Sequence, residues 1–125
     1  MFVGIDVRDT KIGMGLVSDK GELSFQSTFP IDSEQDFDKV TLDIIFVVKS
    51  ISETVPLELF NDNISGIGIC TQHTLDKNSA MQVIIQGYFD VPVFVENIAV
   101  DMVLADNEIN NAGIIAAGLL CIGRV

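Results

Sequence analysis

The chain is short of positive charge. Seven Lys and Arg stand against 18 Asp and Glu, a formal net charge of −11 over 125 residues. No Lys/Arg cluster interrupts that balance, so a nucleic-acid backbone or an anionic membrane surface is repelled. Cysteine is scarce as well. Cys70 and Cys121 sit in the apolar runs GIGIC and GLLCIG, where cysteine behaves as a small hydrophobe. With the single histidine, His73, they have no zinc-ligand spacing, so no metal site is expected. A reduced, cytoplasmic setting is the simplest expectation. No cationic start followed by an apolar stretch opens the chain, and no apolar run reaches the roughly 18 residues of a membrane span. The expectation is a soluble protein that is not exported. Repeats, low-complexity tracts and linkers are missing too, which predicts one domain over residues 1–125.

What is present is a large apolar fraction, 48% of the residues, enough to build a core. FVGIDV opens the chain as a buried strand ending at Asp6 and Val7. Lys11 to Val17 forms a second run, Ser18-Asp19-Lys20-Gly21 supplies turn chemistry, and Glu22 to Phe29 alternates as a third strand of a meander that Pro30 ends. Ser33 is placed as a helix N-cap, with Glu34 and Asp36 in the first turn where the helix dipole favours negative charge. Phe37, Val40, Ile44, Val47, Val48 and Ile51 then recur at helical spacing. Ile64 to Cys70 suits a central strand, and Thr71 to Asn78 reads as polar loop. Ser79 caps a short helix from Ala80 to Gln86 that Gly87 ends. Pro92 to Glu96 is a brief strand, Ala99 to Ala105 a helix, and Ala112 to Ile122 a closing apolar helix. The order βββαβαβαα predicts an α/β fold: a ribonuclease H-like (actin-like ATPase) single lobe with a mixed sheet of about five strands.

Four segments carry a family resemblance. Gly4-Ile5-Asp6-Val7-Arg8-Asp9-Thr10-Lys11-Ile12 resembles the phosphate-binding opening of ROK-family (repressor, open reading frame, kinase) sugar kinases, usually Gly-Ile-Asp-Ile-Gly-Gly-Thr-Lys-Ile. Gly66-Ile67-Gly68-Ile69 with Leu75-Asp76 is similar to the family's Gly-Ile-Gly-Ile-Pro-Gly-Pro-Val-Asp. Val91-Pro92-Val93-Phe94-Val95-Glu96-Asn97 resembles the strand that delivers Glu-Asn-Asp-Ala-Asn. Asn111-Ala112-Gly113-Ile114-Ile115-Ala116-Ala117 resembles the closing helix that folds back onto the N-terminal lobe. Together they cover about two-thirds of the chain, in the family's order.

The resemblance implies residual phosphate and magnesium positions at Asp6, Arg8, Asp9, Thr10 and Lys11, and residual sugar contacts at Glu96 and Asn97. It also shows what has changed. The two glycines that let backbone N–H groups approach ATP phosphates are Arg8 and Asp9 here, and Asp9 puts a carboxylate where anionic oxygens should lie. The family's general base falls on Ile98, which cannot take a proton, and its second motif Asn on Val100. Asp101, one helical turn on, is displaced by about 5 Å and is no substitute. Only Asp106 to Asn110 separates the two closing helices where the family has a second lobe with an adenosine pocket. No catalytic residue is therefore expected, and neither ATP nor magnesium is expected as a bound cofactor.

Plainer readings apply to other residues. Asp6 at a strand end is also common turn chemistry, and Glu96-Asn97 also suits a helix cap. His73 has no nucleophile in recognisable relation to it. Gly113 and Gly118 read as close helix packing, and Met14, Met81 and Met102 as core fillers. The resulting expectation is a non-enzymatic, sugar-kinase-like interaction or regulatory module, a pseudokinase. It self-associates as a homodimer or binds a partner protein over the exposed cleft face, with no nucleic acid and no membrane as partner. The alternatives are a ligand sensor retaining weak sugar or nucleotide binding, and one half of a split ATP-dependent sugar kinase. A magnesium-dependent nuclease built on Asp6 with Glu96 or Asp101 is more remote, because the charge is wrong.

Overall fold

The structure is a computed structural model that describes residues 1–8, 11–30, 37–54, 64–71, 75–97 and 111–122. Five strands and three helices follow in the order β1 (Phe2–Val7), β2 (Lys11–Val17), β3 (Leu23–Pro30), α1 (Phe37–Thr54), β4 (Gly66–Thr71), α2 (Leu75–Gln86), β5 (Val93–Asn97) and α3 (Asn111–Leu119). They form one mixed sheet in the spatial order β3-β2-β1-β4-β5. The meander is antiparallel, and β4 and β5 are added parallel to β1, as the helix-linked pattern demands. This is the predicted α/β, ribonuclease H-like arrangement. No described helix is long and apolar enough to cross a membrane.

The period of two explains how the sheet is covered. Val3, Ile5 and Val7 of β1 share a face with Ile12, Met14 and Leu16 of β2 and with Ile67 and Ile69 of β4. Those bulky side chains are buried in one cluster with Val40, Ile44, Val47 and Val48 of α1 and Met81 and Ile85 of α2. The opposite face carries Gly4, Gly15, Gly66 and Gly68, and there α3 lies almost on the backbone. A Cβ on Gly4 would strike the carbonyl of Ile114, and one on Gly68 that of Ala117. Gly118 returns the favour, since a Cβ there would sit 2.7 Å from Val17 Cβ. Gly113 and Gly118 thus serve close packing against the sheet, and Met14 and Met81 fill the core. Met102 lies outside the described residues.

The first turn is built as its residues suggest. Ser18 Oγ accepts from the backbone N–H of Lys20 and Glu22 at 3.2 and 3.0 Å, and Gly21 adopts φ 83°.

Several boundaries differ from the sequence reading. Helix α2 begins at Leu75, so Ser79 lies inside it and not at its start; the polar run after Thr71 was no bar to helix, because a first turn tolerates Asp, Lys and Asn. Strand β4 begins at Gly66, where parallel pairing with Phe2 starts, although Ile64 is already buried. Strands β3 and β5 each run one residue further on, and Pro30 is the last residue of its edge strand, opposite Lys11. The closing helix stops at Leu119, and residues 120–122 continue as turns whose N–H groups reach back three residues. Ser33, Glu34 and Asp36, and the helix expected from Ala99 to Ala105, lie outside the described residues.

Candidate functional site

The carboxyl-terminal ends of β1, β4 and β5 meet on the α3 face. Register places Asp6 beside Cys70 and Cys70 beside Glu96, so the three residues form one row across neighbouring strands. Asp6 and Glu96 are then about 10 Å apart, two strand spacings, with a thiol between them.

Asp6 is fully buried. Arg8, two residues on, donates from Nε to its Oδ2 at 2.9 Å, and the Arg8 side chain is itself 9% exposed. The Arg8 backbone N–H donates to the Lys11 carbonyl at 2.9 Å, which joins the residue after β1 to the first residue of β2. From the other side comes α3: a Cβ on Gly113 would collide with the Asp6 carboxylate and lie 3.2 Å from an Arg8 guanidinium nitrogen. A helix start against a carboxylate is electrostatically favourable, because its N–H groups carry partial positive charge. Asp6 is therefore held between a guanidinium and a helix N-terminus.

That environment also acts on Cys70. The residue is 4% exposed. Burial first, and then the nearby negative charge of Asp6 and Glu96, push its pKa up to about 12, with Arg8 opposing. A thiol in that state is neutral at physiological pH and is a filler, not a nucleophile. Cys121 is buried at the far end of the same face, where a Cβ on Gly66 would lie 3.0 Å from its Sγ.

The expected positions can now be placed. Asp6 and Arg8 come together as an ion pair, and Lys11 opens β2, half-buried. Glu96 is half-buried near the end of β5, and Asn97 is its last residue, paired with Thr71, with its side chain outside the described set. Asp9, Thr10, His73, Ile98, Val100 and Asp101 lie outside the described residues. The resemblance implies magnesium beside Asp6, and the described residues do not fit one. The carboxylate is buried and bonded to a cation, and no three described His, Cys, Asp or Glu residues come together as a metal-binding group. Sequence reasoning reads Cys70 as a small buried hydrophobe, as found, but misses its place beside Asp6 and the contact of Gly113 with Asp6. The first was traceable, since aligning GID with GIC sets Asp6 against Cys70; the second needed the docking of α3.

No family model and no curated protein matches the sequence. Solved structures do match. A ROK hexokinase from Thermus thermophilus superposes with a TM-score of 0.62 at 22% identity, covering 86% of this chain and 38% of that one. A ROK-family transcriptional regulator, a homologue of the E. coli MLC protein, gives 0.62 at 20% identity, covering 85% of this chain and 30% of that one. RuvC of T. thermophilus, in complex with a Holliday junction substrate, gives 0.56 at 15% identity, covering 94% of this chain and 90% of that one. The chain spans little more than a third of the length of the hexokinase, and at these identities the likeness is one of fold. The fold is therefore like that of part of these ROK proteins, a ribonuclease H-like α/β arrangement.

Proposed function

We propose that the chain is a non-catalytic, sugar-kinase-like domain that acts as an interaction or regulatory module, binding a second copy of itself or a partner protein. The observation that carries this reading is the closed corner at Asp6. The carboxylate that the resemblance would assign to a magnesium shell is buried, bonded to Arg8 at 2.9 Å and abutted by Gly113. Arg8 itself stands where the family has a glycine that admits phosphate, so one substitution both removes the approach and neutralises the acid. Ile98 at the family's base position agrees with it. The likeness to a transcriptional regulator of the same fold agrees with a regulatory role, by analogy of fold alone.

Thermal denaturation with magnesium-ATP, with hexoses and with both tests this. A ligand at about 100 times its Kd stabilises the native state by about 2.7 kcal/mol, a midpoint rise of several degrees. A flat response and no phosphoryl transfer are expected. A saturable rise with a sugar or a nucleotide would replace the reading with that of a ligand sensor, and turnover on adding a second polypeptide with that of a split kinase.

The match to nearly all of RuvC favours a second reading, nucleic-acid processing by one lobe. The net charge of −11 opposes it. A branched DNA duplex is expected not to shift in a gel with this protein at low salt, and a retained complex would reopen that reading.

A further inference from the structure

The two edges of the sheet are finished differently. At β5 the backbone N–H groups of Val93 and Val95 donate to the side-chain carbonyls of Gln86 and Gln82 at 2.8 and 3.4 Å. The Gln86 side-chain nitrogen donates to the carbonyls of Phe89 and Val91 at 3.2 and 2.7 Å. Two glutamines one turn apart on α2 therefore take up two of the N–H groups that a further strand would need, and this edge is partly blocked. At the other end β3 has β2 as its sheet neighbour and no strand beyond it among the described residues. Ser24 to Thr28 are all exposed, and Phe25 remains 49% accessible.

The composition of β3 is the second observation. Its eight residues, LSFQSTFP, include no charged side chain, in a chain whose net charge is −11. Natural edges are protected by lysines, by prolines, by bulges or by cover, and here Pro30 withholds an N–H only at the far end of β3. Here the bulge sits at the start, where Phe25 takes φ 53° and the register shifts between Met14 and Leu16. Beyond it the ladder with β2 is regular from Ser27 to Pro30.

We propose that β3 is a strand-addition edge and that its occupant is β3 of a second copy, paired antiparallel across a twofold axis so that the two five-stranded sheets become continuous. Two copies of so acidic a chain repel at most approaches, and β3 is a neutral element on which they can meet. A strand edge alternates donors and acceptors, so it is complementary to itself when reversed. With two of the outward N–H groups of β5 taken by glutamines, β3 is the more accessible edge among the described residues, and its pairing with itself across a twofold axis closes at two. This inference rests on the self-association proposed above and places it at the sheet edge instead of the cleft face.

Sedimentation equilibrium at micromolar concentration tests it with two charged double variants, Ser27→Lys with Thr28→Lys, and Ser27→Glu with Thr28→Glu. Both positions are exposed, so the fold should survive, and circular dichroism checks that. The unmodified chain is expected to be a dimer, each variant alone a folded monomer with dimerisation weakened about a hundredfold or more, and an equal mixture of the two a heterodimer. A monomeric unmodified chain overturns both this inference and the self-association reading. Dimers in either variant, or a mixture that stays monomeric, overturn the edge alone and leave self-association to another surface. If the variants do not fold, amide hydrogen exchange of the unmodified chain decides. Protection in β3 that fades on dilution supports the edge, and exchange independent of concentration overturns it.

Discussion

Gly68 lies directly beneath the carbonyl of Ala117, so close that a Cβ at this position has nowhere to go. Gly4 stands in the same relation to Ile114 on the neighbouring strand. The obstacle in both cases is helix backbone, which cannot swing aside as a side chain does. Gly68→Ala is expected to destabilise by about 3 kcal/mol or more, the upper end of overpacking costs. Gly21→Ala, with its nearest atom 3.8 Å away but a left-handed φ of 83°, should cost only about 1 kcal/mol. Urea denaturation of the two variants distinguishes a close approach from a conformational requirement; equal losses would refute the packing argument.

The ion pair at Asp6 makes an asymmetric prediction. Arg8→Ala leaves a buried carboxylate without its guanidinium and should cost about 3 to 5 kcal/mol, as breaking buried pairs does. Asp6→Asn in the Arg8→Ala background removes the stranded charge and should recover part of that loss. Chemical denaturation of the single and double variants checks this. Additive losses would show that the two residues do not act as a pair.

Cys70 predicts a pH dependence. Its pKa lies above that of an unfolded thiol because burial and the charges of Asp6 and Glu96 disfavour the thiolate, so the folded state holds its proton more tightly. The stabilisation is complete below about pH 9 and is lost as pH rises toward about 12. Between pH 9 and pH 10.5 the native chain should lose about 2 kcal/mol relative to Cys70→Ala, in which this titration is absent. Denaturation curves of both proteins across that window measure the difference, and a constant gap would refute it. The native thiol should also resist alkylation at pH 8 until denaturant is added.

Gln86 holds a strand from the side. Gln86→Ala removes three hydrogen bonds to the segment around β5 and should cost about 1 to 2 kcal/mol, discounted because the residue is exposed. Gln86→Glu keeps an acceptor for Val93 but loses both donations, and should fall between. Thermal midpoints order the three proteins, and indistinguishable values would show that the capping contributes nothing.

Much of the architecture was legible in the residues. The strands of the meander, the alternation that sets Ile5 against Gly4 and the helical spacing of Val40, Ile44, Val47 and Val48 are short-range signals, and the burial follows them. What escaped depended on elements distant in sequence. The polar start of α2 looked like loop because polarity alone does not separate a solvated helical turn from an irregular one. Gln82 and Gln86 gave no hint of their role, since an amide reveals its partner only once the edge of β5 is beside it. At the site, the sequence names both Asp6 and Arg8 but not their pairing, because the resemblance assigns both to a residual phosphate and magnesium loop. The enclosure of Asp6 by Gly113 joins positions 107 residues apart, and no local pattern carries that.

The glycine face has a kinetic consequence. Gly4 and Gly68 belong to adjacent strands near the middle of the sheet, yet the helix that covers them begins at Asn111. Until that last segment is available, a nearly complete sheet displays a smooth, unprotected surface with exposed main-chain groups. Contacts so remote along the chain are slow to form, and intermediates with uncovered sheets are prone to stick to one another. During synthesis the growing polypeptide passes through that condition between the emergence of β5, which ends at Asn97, and that of the helix starting at Asn111, the interval in which shielding of apolar surface matters most.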